Sequence, residues 1–232
     1  MQSQEHEVNM ASNTGGQMAT ETRYLYLLRH GETDWNRERR AQGQQESRLT
    51  EQGRQQAHEL GLRLADQHLD HIYCSSSLRT RETAELAFGS RQINIEYCDR
   101  LREIQMGRWE GRLYDDIRRE DQAQFDAFWQ TPDTFLVDGA ETFKELQHRA
   151  ATRVQEILDS SGHQHIAIVS HGAWIKSLLC AVEQRPLNQL WHPPRMHNCS
   201  LSKIQVDKLG KRTILTYADQ PYTHPFFQEN NA

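Results

Sequence analysis

Three short polar segments carry side chains that could perform chemistry on phosphate esters. Arg29 and His30 follow an apolar, aromatic run, Arg79 follows a run of serines, and His171 follows a second apolar run. Guanidinium groups bind phosphoryl oxygens through paired, charge-assisted hydrogen bonds, and an imidazole can serve as a nucleophile or as a further donor. A single histidine after a strand is more often structural than catalytic. The prediction of a phosphate-ester site therefore rests on the two arginines and two histidines together.

The elements that must position these side chains are buried strands. Apolar runs at 24–28, 72–74 and 166–169 each stop near one of the three segments, as a strand that ends in a polar loop does. In open α/β sheets, ligands gather beyond the carboxyl ends of the strands. We therefore expect the three segments to meet at one site.

The remaining predicted elements alternate helices with strands. They are helices at 50–67, 75–88 and 143–158, a short strand at 93–97 and a hairpin over 201–206 and 213–217. Thr50 and the serines at 75–77 can supply N-caps, and the second of these helices places Arg79 near an N-terminus that favours anions. This alternation predicts the α/β class, as a three-layer α/β/α sandwich with a mainly parallel central sheet.

The domain organisation follows from length and local composition. A chain of 232 residues fits one compact domain, which we expect at 23–220. Residues 1–22 are rich in polar residues without apolar periodicity and predict a flexible leader. An aromatic-rich segment at 112–140 is expected to be a helical lid insertion, and 221–232 is expected to be a tail.

Charge, hydropathy and cysteine usage narrow the functional classes. A net charge of −5 argues against a nucleic-acid binder, and no apolar run is long enough to span a membrane. The four cysteines form neither a Cys-x-x-Cys pair nor a secreted disulfide pattern, and no secretory signal is evident. Reduced thiols and a cytoplasmic location are therefore expected.

Residues 29–36 resemble the signature of the histidine phosphatase superfamily, which includes the cofactor-dependent phosphoglycerate mutases. Their sequence is Arg29-His30-Gly31-Glu32-Thr33-Asp34-Trp35-Asn36. The resemblance extends from about residue 24 to 217. Its further segments are 42–43, 49–53, 75–79 with 83–84, 101–104, 107–111 and 169–172. It implies a phosphoglycerate mutase-like fold.

The resemblance also implies a role for each matching residue. His30 would attack phosphorus and become a phosphohistidine, while Arg29, Arg79 and His171 hold the phosphoryl oxygens. Glu103 would give a proton to the leaving group and then activate water, with Glu32 and Glu110 as rivals for that role. The substrate-binding residues implied are Asn36, Gln42, Gly43 and Gly172. No metal ion and no cofactor are expected.

Three features leave more than one interpretation open. Where relatives carry Gly-Glu-Ser before a helix, this chain has Ala140 and Thr142 around Glu141, which could approach the pocket mouth or only begin the helix. The arginines at 37, 39 and 40 could collect an anionic substrate or face solvent. The aromatic residues of the insertion, together with Trp109, could line a leaving-group pocket, although aromatic residues at helical spacing more often belong to the core.

A phosphatase acting on a small phosphorylated metabolite is favoured over a mutase. The segment between Glu103 and His171 is short compared with typical phosphoglycerate mutases, and Gln42-Gly43 resembles phosphatase relatives. A catalytically silent phosphate-binding or interaction module is the alternative from another class. A metal hydrolase using His163, His165 and His171 is disfavoured because carboxylate ligands at suitable spacing are lacking. A homodimer is left open.

Overall fold

The computed structural model describes residues 21–223. The predicted leader at 1–22 and the predicted tail at 221–232 lie outside the described residues, apart from 21–22 and 221–223. Every helix within the described range is too short or too polar to traverse a lipid bilayer.

The seven strands of the described chain form one mixed sheet. They are β1 (Arg23–Arg29), β2 (His71–Ser75), β3 (Ile95–Cys98), β4 (His165–Ser170), β5 (Leu201–Val206), β6 (Arg212–Tyr217) and β7 (Gln220–Pro221). The order across the sheet is β3-β2-β4-β1-β5-β6-β7. The first four strands in this order run parallel, and β5 to β7 pair antiparallel at one side.

Seven α-helices accompany this sheet in the described range. They are α1 (Asp34–Glu38), α2 (Glu51–Arg63), α3 (Leu78–Phe88), α4 (Tyr114–Glu120), α5 (Gln122–Gln130), α6 (Phe143–Ser160) and α7 (Gly172–Val182). The predicted α/β class with a mainly parallel core is confirmed. The segment at 112–140 carries α4 and α5, and its role as a lid remains a prediction.

Alternate residues of the central strands point into two separate cores. Leu25 and Leu27 pack in a cluster with the buried faces of α6 and α7, whereas Tyr26 and Leu28 pack in a cluster with α2 and α3. Successive side chains of a strand point to opposite faces, so a strand with helices on both sides is apolar throughout. This explains why β1 and β4 are uninterrupted apolar runs.

The register of the parallel strands brings their carboxyl ends level with one another. Arg29 pairs with Ser170, and the last pair between β2 and β4 joins Cys74 to Val169. The backbone N–H of His30 then donates to the carbonyl of Ser170 at 3.1 Å. The three chemistry-bearing segments therefore meet at one edge of the sheet, as the sequence predicts.

Two helix ends differ from the predictions. The helix predicted to continue towards Gln67 ends at Arg63, where the N–H of Leu64 is shared between two carbonyls of the last turn. Ser77 occupies the N-cap position of α3, but its side chain makes no capping hydrogen bond. Instead the N–H of Leu78 donates to the Glu46 carboxylate at 2.7 Å, so the predicted serine cap is wrong: the acceptor is Glu46.

Helix α6 begins with a reciprocal cap. The Thr142 hydroxyl accepts from the N–H of Glu145 at 3.3 Å, and the Glu145 carboxylate accepts from the N–H of Thr142 at 2.8 Å. This capping box explains the threonine in the segment that departs from the family pattern, because Thr142 satisfies donors that a helix start leaves unpaired.

Replacing Thr142 by alanine is expected to lower the free energy of unfolding by about 1 kcal/mol, because the cap is lost. Urea denaturation followed by circular dichroism measures the change. Thr142→Ser keeps the hydroxyl and is the matched control, with an expected loss well below that of the alanine variant. Equal losses in the two variants would contradict a capping role.

Candidate active site

A cavity of about 680 Å³ opens beyond the carboxyl ends of the parallel strands. It is lined by eight of the nine residues predicted for the site, namely Arg29, His30, Asn36, Gln42, Gly43, Arg79, Glu103 and Gly172. The ninth, His171, is fully buried behind this lining, with its ring centroid 5.3 Å from that of His30. The structure thus brings all nine residues together.

His30 is held as a neutral imidazole with one nitrogen left over. Its Nδ1 lies 2.7 Å from the carbonyl oxygen of Gly31, which can only accept, so Nδ1 carries the proton and Nε2 keeps its lone pair. Burial, followed by the positive charges of Arg79 and Arg29, holds the pKa of His30 well below its ordinary value. A neutral ring with an unprotonated nitrogen is the form that can act as a nucleophile.

Two arginines surround this imidazole without forming an ion pair of their own. Arg79 is completely buried and donates to the carbonyls of Gly43 and Gln45 at 2.8 and 2.9 Å. Arg29 donates to the carbonyl of Met196 at 2.7 Å, and the Nε of each arginine is buried without a partner. Burial lowers the pKa of Arg79 to about 10, which still leaves it cationic near neutral pH.

The conformation of Gly43 supports this arrangement. Its φ is +52°, and a Cβ at this position would lie 2.1 Å from the Glu110 carboxylate. Only glycine fits there, and the resulting turn aims the Gly43 carbonyl at Arg79. The residue predicted to bind substrate therefore also orients an arginine.

His171 connects the site to the end of β2. Its Nε2 lies 2.8 Å from the hydroxyl of Ser75, while its Nδ1 is buried and has no hydrogen-bond partner. Burial, followed by the charge of Arg79, holds the pKa of His171 well below its ordinary value. A buried polar atom without a partner costs about 1–3 kcal/mol, so a ligand oxygen reaching it would be stabilising.

Glu103 is docked on the N-terminus of α7. Its carboxylate accepts hydrogen bonds from the N–H groups of Ala173, Trp174 and Ile104, each at 3.0 Å. Unpaired N–H groups and the helix dipole both favour a negative charge at this position. Glu103 therefore faces the cavity in a fixed orientation, and it is the acidic residue in the cavity lining of the described chain.

The loop that carries Glu103 is fixed by an arginine from α6. Arg149 donates to the carbonyls of Arg100, Arg102 and Glu103, at 2.9, 2.9 and 3.2 Å. Glu141 forms a two-pronged ion pair with Arg149, at 2.8 and 2.7 Å. Glu141 thus supports the Glu103 loop through Arg149 and is absent from the cavity lining, so the pocket-mouth interpretation is wrong.

Asn36 and Gln42 present amide donors to the cavity. The Gln42 oxygen accepts from the hydroxyls of Thr33 and Ser47, and the Asn36 oxygen accepts from the N–H of Thr33 and from Asn198. Because both oxygens are used by the protein, both NH₂ groups remain to donate.

The rivals of Glu103 have structural roles. Glu32 accepts from the Thr50 hydroxyl at the start of α2, and Glu110 accepts from the N–H groups of Gln44 and Met106. Neither lines the cavity. In the basic patch, Arg39 and Arg40 line the cavity, which favours the collector interpretation for these two arginines.

The site also contains residues that sequence reasoning missed. The Asn198 amide donates to the carbonyl of His30 at 3.1 Å and to the oxygen of Asn36 at 3.2 Å. Lys176 lines the cavity and donates to the carbonyls of Leu190 and His192, and burial lowers its pKa to about 8. Lys176 was visible only as a charge within an apolar run, and nothing around Asn198 signals its position.

The histidines of the alternative metal site are too far apart to share an ion. His165 begins β4 and His171 follows its end, a separation of six residues of extended chain or about 20 Å. His163 stacks against His71, and His165 stacks against Tyr24. Among residues 21–223 there is no group of three side chains suited to a metal ion.

Buried cations that lack carboxylate partners are typical of sites that receive a phosphoryl group, and their position beyond parallel strands is typical of phosphoglycerate mutase-like α/β proteins. The chain belongs to the histidine phosphatase superfamily (branch 1), whose family model matches residues 25–220. The predicted family is confirmed.

Relatives in this family include both mutases and phosphatases by name. A probable phosphoglycerate mutase from Erwinia tasmaniensis is 34% identical over 180 residues, which cover 78% of this chain and 83% of that protein. YhfR from Bacillus stearothermophilus is 45% identical with a TM-score of 0.82, covering 87% of this chain and 98% of that one. A mycobacterial glucosyl-3-phosphoglycerate phosphatase in complex with VO3 is 25% identical with a TM-score of 0.76, covering 84% and 98%.

The buried histidines predict a loss of stability in acid. Because the pKa of His30 is lower in the folded chain, the unfolded chain binds more protons below the ordinary histidine pKa of about 6.5. Its contribution to the free energy of unfolding is expected to be complete above about pH 6.5. As the pH falls towards the folded-state pKa, this contribution should decline by about 1.4 kcal/mol per pH unit.

Urea denaturation of the wild type and of His30→Asn between about pH 5 and 8 isolates this contribution, because the other histidines are common to both proteins. The wild type is expected to show the steeper decline below about pH 6.5. Identical slopes would show that the pKa of His30 in the folded chain equals its ordinary value, which would contradict the prediction.

Proposed function

We propose that the protein is a metal-independent phosphomonoester hydrolase that acts on a small phosphorylated metabolite through a phosphohistidine at His30. The observation that carries the proposal is the neutral His30 ring between two arginines, buried Arg79 and half-buried Arg29, that have no ion-pair partner among residues 21–223. The positive charges of the two arginines can be compensated by a bound anion, and the site already holds a nucleophile.

In the first step, the Nε2 lone pair of His30 attacks phosphorus and the bond from phosphorus to the ester oxygen breaks. Arg29, Arg79 and the Nδ1 of His171 bind the equatorial oxygens, where charge spreads in the transition state. Glu103 delivers a proton to the departing alkoxide. The alcohol leaves.

In the second step, the Glu103 carboxylate takes a proton from a water molecule whose oxygen attacks the phosphohistidine. The nitrogen–phosphorus bond breaks, inorganic phosphate leaves, and His30 returns to its neutral state. The three N–H groups from Ile104 and α7 fix the position of the carboxylate that activates water. The NH₂ groups of Asn36 and Gln42 and the N-terminus of α7 at Gly172 complete the phosphate cradle.

Phosphatase action is preferred to mutase action. The similarity to a named phosphatase bound to VO3 and the short segment between Glu103 and His171 support it. The 34% identity to a probable phosphoglycerate mutase supports the alternative, which needs a phosphohistidine protected from water. A silent phosphate-binding module is disfavoured because His30 and Glu103 both face the cavity. The cytoplasmic location expected from the sequence remains a prediction.

Replacing His30 by alanine is expected to reduce hydrolysis of p-nitrophenyl phosphate by roughly a thousandfold or more, because the covalent step is lost. The assay is run in excess chelator, and the wild type should keep its activity there. His68→Ala, at an exposed histidine outside the cavity, is the matched control. Rapid quench with a labelled substrate should place the label on His30, and label on another side chain would overturn the mechanism.

Glu103→Gln is expected to slow the hydrolysis of alkyl phosphates more than that of p-nitrophenyl phosphate, because a good leaving group depends less on protonation. The slope of log kcat/KM against leaving-group pKa should therefore become steeper by a measurable amount. Glu59→Gln, at an exposed carboxylate on α2 outside the cavity, is the control. An unchanged slope would remove Glu103 as the proton donor.

The mutase alternative predicts a different product. With 3-phosphoglycerate and a bisphosphate primer, the proposed phosphatase should release inorganic phosphate faster than it forms 2-phosphoglycerate. Phosphorus NMR follows both products in one sample. Isomerisation that exceeds phosphate release would assign the protein to the mutases.

A further inference from the structure

We propose that the outer half of the cavity is a subsite for the alcohol part of the phosphate ester, and that it prefers flat, apolar alcohols such as arylmethanols and phenols. The inference rests on the proposed function, because it assigns the leaving group of that reaction. It is carried by the composition, exposure and rigidity of the cavity wall beside the phosphate cradle.

Six aromatic side chains are among the residues that line the cavity. We call them the aromatic wall: Trp35, Tyr114, Phe125, Phe128, Trp129 and Trp191. They come from the segment after β1, from the insertion that carries α4 and α5, and from the loop after α7. Three separated parts of the chain therefore contribute the same kind of surface to one cavity, which favours a common ligand over local packing.

The exposure of the wall separates it from the core. Trp109, which sequence analysis also considered for the pocket, is fully buried and belongs to the core. Phe128 is 3% exposed and packs on Phe135 and Phe143, so it is the base of the wall. Trp129 is 39% exposed at the cavity, a large apolar surface that a flat ligand would cover.

Ring contacts and hydrogen bonds hold several members of the wall against one another. The Trp129 ring lies 5.1 Å from Trp191 and 5.8 Å from Tyr114, centroid to centroid. The indole N–H of Trp191 donates to the Phe128 carbonyl, and Lys176 binds the carbonyls on either side of Trp191. A preformed surface binds a flat ring with little ordering cost.

The charges around the wall disfavour a polar alcohol in most positions. Arg40 pairs with Glu38 and Lys176 is used by two carbonyls, whereas the exposed Arg39 is engaged only weakly, by an exposed Asp115 at 3.8 Å. A hydroxyl or carboxylate placed against the aromatic faces would lose its water without gaining a partner. Arg195 also lines the cavity and has no hydrogen bond or ion pair within residues 21–223. Because it could bind a carboxylate on the alcohol, the test includes an ester with an acidic alcohol.

The test compares phosphate esters whose alcohols have similar basicity: 1-naphthylmethyl phosphate, benzyl phosphate, glycerol 1-phosphate and 3-phosphoglycerate. We expect kcat/KM to be about tenfold higher for the naphthylmethyl ester than for the glycerol ester. Trp129→Ala should remove most of this preference and leave glycerol 1-phosphate hydrolysis within about twofold. Trp129→Phe should retain most of it, and Leu209→Ala, at an exposed site on the β5–β6 hairpin, should change nothing.

Inert phosphonates separate this inference from the proposed function. Calorimetry should show 1-naphthylmethylphosphonate binding the wild type about tenfold more tightly than methylphosphonate, with the difference lost in Trp129→Ala. That result in a protein that hydrolyses no ester would support the subsite and overturn the phosphatase. Hydrolysis in which glycerol 1-phosphate or 3-phosphoglycerate matches the naphthylmethyl ester, or in which Trp129→Ala slows all esters equally, would overturn the subsite alone.

Discussion

The rest of the site depends on two guanidinium groups held beside a histidine in the protein interior without carboxylate partners. Carbonyls of Gly43, Gln45 and Met196 orient Arg79 and Arg29 but do not neutralise them. Removing a cation from water is costly unless an opposite charge compensates, so the folded chain keeps an unsatisfied positive potential at one point. Burial, together with this potential, holds the pKa of His30 well below its ordinary value, and the potential favours an anionic ligand.

This constraint explains how the single carboxylate of the cavity is used. A direct ion pair with Glu103 would neutralise the charge of an arginine, but the Glu103 carboxylate instead accepts hydrogen bonds from three N–H groups at and near the N-terminus of α7. Arg149, itself paired with Glu141, fixes the loop behind it. The carboxylate therefore stays close enough to exchange protons at the site while the arginines remain available for phosphate.

Fold prediction from the sequence succeeded where short-range patterns decide the structure. The strands β1 and β4 were predicted because a strand buried on both faces is a continuous apolar run. Helix α6 was predicted because a helix buried on one face repeats its apolar residues every three to four positions. Helix ends were predicted less well: α2 ends at Arg63, and the start of α3 is satisfied by Glu46 from a distant loop. Local sequence patterns do not predict an acceptor that comes from a distant part of the chain.

The sequence by itself indicated the candidate reactive groups, because His30, Arg79 and His171 lie close to the ends of predicted strands and Glu103 lies in a segment that resembles the family pattern. Only the tertiary structure decided what surrounds them. Asn198 reaches Asn36 across 162 residues, and Trp191 joins Trp129 in one wall. The physical reason is that such contacts depend on how separate loops pack over the end of the sheet. The residues next to each contact in the sequence do not indicate which distant loop will pack there.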